Sequence, residues 1–467
     1  MLEPTVTPER AHIDKARPGS AAAWNRRNAL SYTARRGGWL IVYLLFVLAP
    51  VLALLLGDLP PARDFWTEFS AAIAYVGLAI MGLQFGLTAR FRYVTEPWGE
   101  DVIYYFHRLL SIIALWLVIA HPIILFMLNP ARLRLLNFLQ APPVARWAAL
   151  STYALIALVV MALWRVQLRI RYETWHFTHI LLAVVAIVAG IIHMIGWGFY
   201  LGDPGKRALW IGLCTFWIGL LLYIRIFKPL FILRRPYIVT EVRKERGDSW
   251  TLVMRPKSHP GFRFTPGQFG WLTIWGGPFR ITGHPFSFSS SAEAVDGRVE
   301  MTIRNLGDLT SKIRDVSVGR RVYIDGPYGA FTIGNPADMH VLIAGGVGIT
   351  PMMSMIRTLA DRGDKRPVLL IYGSKDCESI TFREELEALE KQLDLKVVHV
   401  LSDSPAGWDG EKGFIDAQIM RRHLPAPYSE HEYFICGPNP MMDAIEKALG
   451  EMHVPLSKYH SERYSFV

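Results

Sequence analysis

The 467-residue chain has only three cysteines, Cys214, Cys377 and Cys436, and only 19% of its residues are charged. Three thiols exclude a disulfide-stapled scaffold and a multi-cysteine zinc or iron–sulfur protein. A soluble globular chain carries about 25% charged residues, so the deficit points to a part that does not face water. Disorder is excluded from the other side, because 12% of the residues are aromatic. At about 100–200 residues per domain, the length calls for more than one folding unit.

The charge that is present is unevenly placed. Residues 1–235 hold 23 Lys and Arg against 11 Asp and Glu, and residues 236–467 hold 27 against 29, so the net charge of +10 arises in the first half. That half is also the apolar one, which suits basic residues flanking membrane spans. Nucleic-acid binding would want a basic face on a polar domain, and is excluded.

Uncharged runs cover 37–57, 69–89, 109–131, 147–164, 174–202 and 208–224. Each is long enough to cross a bilayer as a helix, the form that satisfies its own backbone in lipid, so six transmembrane helices are expected. A buried all-α core would show charges at helical spacing on its outer faces, and these runs have none. Sixteen basic residues lie in the N-terminal tail, the second and fourth connections and the exit; six lie on the other side. By the positive-inside rule both termini are expected in the cytoplasm, in a multi-pass cell-membrane protein. A cleaved signal peptide is not expected, because a long basic tail precedes a full-length first span.

Ionisable groups inside a span are functional candidates. His107 and His121 on the third run are fourteen residues apart, and so are His179 and His193 on the fifth. Fourteen residues turn through about 1400°, about 40° short of four full turns, so each pair shares nearly one helix face, with a rise of about 21 Å. The third and fifth helices run parallel, which sets His107 level with His179 and His121 level with His193. Two stacked imidazole pairs suit two haems, each with an axial ligand from either helix. A single membrane histidine would more simply bond a neighbouring helix; two equal spacings favour haem. His176 lies about 100° off the His193 face and is left as a non-ligand. Iron ligated twice has no open position, so electrons would leave through the haem edge.

Beyond Arg235 the pattern changes. Residues 236–335 show short alternating runs cut by Gly and Pro, an antiparallel β-barrel signature. Residues 336–467 alternate apolar strands with amphipathic helices, a doubly wound α/β unit. The turn HVLIAGGVGITP places Gly345, Gly346, Gly348 and Thr350 between a strand and a helix, where backbone N–H groups and a helix N-terminus suit a diphosphate. Cys436, Gly437 and Pro438 follow a second such strand, where a nicotinamide edge has room. Ser374 and Lys375 stand where a ribose 2′-phosphate could be held, with a solvated surface lysine weighing equally. In HPFSFSS, His284, Phe286 and Ser287 offer a donor, an aromatic plate and a hydroxyl; alternation puts His284, Phe286 and Phe288 on one face. Gly307 and Thr310 in GDLT open a helix and offer another pyrophosphate cradle.

Taken together, the chain resembles the NADPH oxidase and ferric reductase superfamily, from about residue 38 to the end. YFHRLLSIIALWLVIAHP and YETWHFTHILLAVVAIVAGIIH resemble its third and fifth helices; FTPGQF, HPFSFSS and GDLT its flavin segments; GGVGITP and CGPNPMM its nucleotide segments. The resemblance implies a tail over 1–37, a haem-binding bundle over 38–235, an FAD domain over 236–335 and an NADPH domain over 336–467. It implies FAD, NADPH and two b-type haems, the inner held by His107 and His179, the outer by His121 and His193. His284, Phe286, Ser287, Gly307 and Thr310 would hold FAD. Gly346, Gly348, Thr350, Gly437 and Pro438 would hold NADPH. Tyr464 or Phe466 would cover the flavin ring. The tail has no DxDxDG loop, so calcium control is not expected.

Two acceptors fit this path. An oxidase delivers electrons to dioxygen, giving superoxide; a metal reductase delivers them to a ferric chelate or cupric ion. An electron donor to a protein partner and a non-catalytic haem sensor are further classes, and the complete two-nucleotide half speaks against the sensor. The outer connections carry six basic residues against Asp58, Asp64, Glu68 and Asp203. That balance attracts anions and repels bare ferric ion, which leans toward the oxidase.

Overall fold

The apolar runs form helices whose ends are set by local chemistry. The computed structural model describes residues 20–91, 98–280, 283–294, 296–333 and 337–463, with side chains from 34 onward, Asp101 excepted. The membrane half comprises α1 (Ser20–Leu52), α2 (Phe65–Leu87), α3 (Glu100–Leu128), α4 (Pro143–Leu163), α5 (Tyr172–Trp197) and α6 (Pro204–Leu222). A π-helical turn (Tyr223–Phe227) carries α6 into α7 (Lys228–Leu233). The Asp64 side chain caps α2 by accepting from the Thr67 N–H, and Asp203 caps α6 by accepting from that of Lys206. Gly198, at φ +68°, ends α5.

Among the described residues, six stretches are long and apolar enough to cross a bilayer, and the chain is a multi-pass membrane protein. Their outward faces leave Leu45, Trp116, Met127 and Phe177 exposed, as lipid requires. Inward, small residues let backbones approach. A side chain at Gly77 would press on Leu117 and Val118 of α3, and one at Gly82 would strike Trp217 of α6. The Ser151 hydroxyl of α4 donates to the Ala186 carbonyl of α5 at 2.6 Å.

The next six strands are β1 (Tyr237–Glu245), β2 (Ser249–Pro256), β3 (Phe269–Thr273), β4 (His284–Ser287), β5 (Val299–Arg304) and β6 (Arg321–Tyr328). They form one antiparallel sheet in the order β4-β3-β6-β1-β2-β5. The antiparallel pairing expected of this segment is present. The sheet's edge strands meet through one isolated bridge, Phe288 to Met301, not a continuous ladder, because β4 contributes only four residues.

The last six strands are β7 (His340–Gly345), β8 (Val368–Ser374), β9 (Leu395–Leu401), β10 (Glu411–Lys412), β11 (Glu432–Cys436) and β12 (Tyr459–Glu462). All neighbours pair in parallel, in the order β10-β9-β8-β7-β11-β12. The helices between them are α8 (Ile349–Asp361), α9 (Arg383–Leu389), α10 (Ala417–His423) and α11 (Asn439–Glu451). Leu342, Leu370 and Phe434 pack with Met352 and Ile356 of α8. The alternate residues Val341, Leu369 and Tyr433 pack with Ile419 of α10 and Ile445 of α11. The sheet is thus covered on both faces, which is why its strands read as continuous apolar runs. Arg357 of α8 bonds the Ser289 carbonyl, Glu300 and Glu385, locking this sheet to the antiparallel one.

His340 opens β7 fully buried, with neither ring nitrogen partnered among the described residues. Burial, helped by nearby Arg366, pushes its pKa down to about 4. The unfolded imidazole titrates near 6.5, so the unfolded state binds the extra proton between these values. Stability is therefore complete above about pH 6.5 and falls toward pH 4 by up to about 1.4 kcal/mol per pH unit from this group. His340→Leu is expected to flatten that part of the pH dependence, read by denaturant unfolding of the detergent-solubilised chain at pH 7 and pH 5.

Candidate functional site: histidine pairs and nucleotide crevice

The α3 and α5 helices bring together the histidines predicted to pair. The His107 and His179 rings have centroids 6.3 Å apart, their planes inclined by 60°. Imidazole nitrogen binds first-row metals at about 2.0–2.1 Å, so two rings sharing one metal have centroids about 6 Å apart. His107 Nδ1 lies 2.8 Å from the Gln84 side-chain oxygen. His193 Nδ1 lies 2.9 Å from the Val144 carbonyl. A carbonyl only accepts, so His193 carries its proton on Nδ1 and presents Nε2. The Nδ1 atoms of His121 and His179 are buried with no partner among the described residues. His176 is engaged elsewhere: Arg225 donates to its Nε2 at 2.7 Å. Among the described residues, no group of three or more His, Cys, Asp or Glu is placed to hold a metal.

The antiparallel sheet rests on the helix ends leading to the His107–His179 pair. Lys228 lies 2.9 Å from Asp325 of β6 and donates to the Tyr328 hydroxyl at 2.8 Å. Arg90, beyond α2, lies 3.8 Å from Asp325 and stacks 3.5 Å above the Trp271 ring of β3. Trp271 Nε1 donates to Glu100 at the start of α3. Arg90 also donates to the hydroxyl of Tyr104, three residues before His107. Burial raises the Tyr328 phenol pKa, and the neighbouring Asp325 carboxylate raises it further. His284 of β4 feels Glu173 in the first turn of α5; burial lowers its pKa and Glu173 opposes that. Sequence reasoning missed this contact: it read Arg90 and Lys228 only as topology charges, and their partners lie far along the chain. Asp325→Ala would leave both cations without that carboxylate and is expected to cost about 1–3 kcal/mol. The check is the thermal midpoint of the full chain in detergent, with exposed Glu241→Ala as a near-neutral control.

The other predicted residues are distributed more mixedly. Phe286 packs against the sheet core beside the fully buried Phe288, so its ring is partly committed to the core. Ser287 is buried. Gly307 and Thr310 close on each other: the Thr310 hydroxyl accepts from the Leu306 and Gly307 N–H groups, each at 2.8 Å. The segment continues as a 3₁₀ helix over Thr310–Asp315, not an α-helix. Tyr464 and Phe466 lie outside the described residues. Glu462, at the end of β12, reaches Gly329 beyond β6, which brings the end of β12 against the antiparallel sheet.

In the parallel sheet, β8 and β9 lie on one side of β7, and β11 and β12 on the other. The crevice beyond the strand ends at such a switch point is where open α/β sheets bind ligands. The turns after β7 and β11 meet there. A side chain at Gly348 would strike the Cys436 carbonyl, and one at Gly345 would meet Met441 and Pro438. These glycines, with Gly437, let the two turns touch. Gly346 differs: its φ is +53°, and Arg304 of β5 reaches to within 3.1 Å of where its side chain would begin. The Thr350 hydroxyl donates to the Val347 carbonyl in the same turn. Lys375 is exposed after β8, its carbonyl accepting from the Asp403 N–H.

Three families match this chain in order. Residues 73–190 match the ferric reductase-like transmembrane component, 240–332 an FAD-binding domain and 342–447 an oxidoreductase NAD-binding domain. The chain belongs to the NADPH oxidase and ferric reductase superfamily. Like its relatives it is an NAD(P)H-dependent oxidoreductase. NADH-cytochrome b5 reductase 1 of Aspergillus terreus is 31% identical over 208 residues, covering 42% of this chain and 70% of that one. The glycine betaine monooxygenase reductase subunit of Pseudomonas aeruginosa is 30% identical over 213 residues, covering 44% and 57%. Among solved structures, the flavohem-like FAD/NAD-binding domain of a Vibrio cholerae nitric oxide dioxygenase is 24% identical, with a TM-score of 0.44, covering 49% of this chain and 98% of that one. By the positions of the family matches, the FAD- and NAD-binding domains lie downstream of the ferric reductase-like segment.

Proposed function

We propose that this protein carries electrons from NADPH through FAD and two b-type haems across the cell membrane to dioxygen, one electron per molecule, giving superoxide. The observation that carries the reading is the 6.3 Å separation of His107 and His179, beneath the helix ends on which the flavin sheet rests. A site with two protein ligands suits a macrocycle that supplies the other four. His107 and His179 would hold the inner haem, His121 and His193 the outer, within a domain spanning 38–235. His284, Phe286, Ser287, Gly307 and Thr310 would hold FAD in 236–335. Gly345, Gly346, Gly348, Thr350, Lys375, Cys436, Gly437 and Pro438 would hold NADPH in 336–467, and Tyr464 or Phe466 would cover the flavin. Once bound, these groups convert a two-electron hydride into single electrons. The protein's own part is positional. Lys228, Arg90 and Asp325 hold the flavin sheet on the helix ends, and the apolar helices exclude water from the His pairs. The excess of basic residues on one side supports a cytoplasmic position for both termini, with the outer pair toward the far side.

A second acceptor is supported by the match to a ferric reductase-like component: a ferric chelate or cupric ion reduced along the same path. Cytochrome c reduction driven by NADPH separates the two. Abolition by superoxide dismutase supports dioxygen; insensitivity, with rapid ferric-chelate reduction, supports the metal. His121→Leu is expected to leave one haem per chain and stop acceptor reduction while NADPH still reduces the flavin. Two haems per chain in that variant would remove the ligand assignment.

Preference for NADPH rests on Lys375. Lys375→Ala is expected to raise the KM for NADPH roughly 10–100-fold, the equivalent of a lost charged hydrogen bond, with little change for NADH. Equal effects on both nucleotides would make it a surface lysine.

A further inference from the structure

The four membrane histidines are not held alike. One ring of each pair is anchored through Nδ1, His107 by Gln84 and His193 by Val144. The other ring of each pair, His179 or His121, has no Nδ1 partner among the described residues. The two anchors also differ in kind. Val144 offers a backbone carbonyl, which no side-chain replacement removes. Gln84 offers a side chain, from a helix that carries none of the four histidines.

The orientation of the Gln84 amide follows from its second bond. Its Nε2 donates to the Ile80 carbonyl at 3.2 Å. The amide nitrogen therefore points along α2, and the oxygen faces His107. An amide oxygen accepts only, so the His107 proton sits on Nδ1 and the lone pair sits on Nε2, the nitrogen free to bind a metal. Gln84 is itself buried, at 9% exposure, so water does not compete for this bond. Close packing of its helix keeps it in reach: Gly77 admits Val118 of α3, and Gly82 admits Trp217 of α6.

A hydrogen bond accepted from the outer N–H of a ligating imidazole fixes its tautomer and raises its basicity. A more basic ligand stabilises ferric over ferrous iron. We infer that Gln84 is a positioning residue that sets the tautomer and donor strength of His107, and through them lowers the reduction potential of the inner haem alone. The inference rests on the proposed haem ligation. It makes the inner centre tunable through a side chain, whereas the backbone carbonyl of Val144 holds the outer one fixed.

The test uses the full-length holoprotein in detergent, and its first measurement is haem content. Fewer than two haems in the unaltered chain would overturn the ligation itself and this inference with it. With two haems present, Gln84→Met keeps the length of the side chain and removes the acceptor. It is expected to shift the ferric–ferrous equilibrium of one haem about tenfold toward ferrous, a rise of about 59 mV for one electron. One of the two low-spin ferric resonance signals should move with it, and the other should stay. Gln84→Glu keeps an oxygen at the same reach and should hold the potential at or below its original value. If the Met variant loses the inner haem outright, retention of both haems by the Glu variant supports the same role. Unchanged potentials and signals in the Met variant, equal shifts in both haems, or a Glu variant that behaves like the Met variant would each overturn it.

Discussion

Where the two halves of the molecule meet, one carboxylate is held between two cations. Asp325 lies against Lys228 and Arg90, and the stacking of Arg90 on Trp271 extends the contact across β3. A partly buried ion pair gains little net stability over a well-packed apolar contact. What it supplies is orientation, because a misdocked sheet would leave charges buried without partners. That orientation aims β3 and β4 at the starts of α3 and α5, the helices that carry the paired histidines.

Within the membrane the corresponding constraint is backbone proximity. Lipid gives apolar helices no solvent-driven reason to associate, so packing has to be close. Gly77 and Gly82 let α2 approach α3 and α6, and Ser151 ties α4 to α5. This packing sets His107 beside His179, and it delivers Gln84 and Val144 to the outer nitrogens of His107 and His193.

The glycine-rich turn of the nucleotide half shows one sequence signal serving two physical needs. Gly345 and Gly348 are small because the turns after β7 and β11 touch, whereas Gly346 takes a left-handed backbone beside Arg304. The chemistry of the turn is the same in either case, so only the fold separates packing from ligand approach. Thr310 makes the same point, since its hydroxyl closes its own turn.

The amino-acid sequence by itself determined the elements and their types. Six uncharged runs become six spanning helices because lipid leaves the backbone no other choice, and continuous apolar strands become a parallel sheet covered on both faces. The fourteen-residue histidine spacing was legible because helix geometry is regular. The tertiary structure decided what depends on contacts between distant residues. It joined the edges of the antiparallel sheet through an isolated bridge, Phe288 to Met301, that no local pattern announces. It paired Asp325 with Lys228 and Arg90 across separations that no local pattern encodes. It turned Gln84, an unremarked polar residue in an apolar run, toward His107. Periodicity reports which face a residue occupies; only packing reports which residue stands opposite.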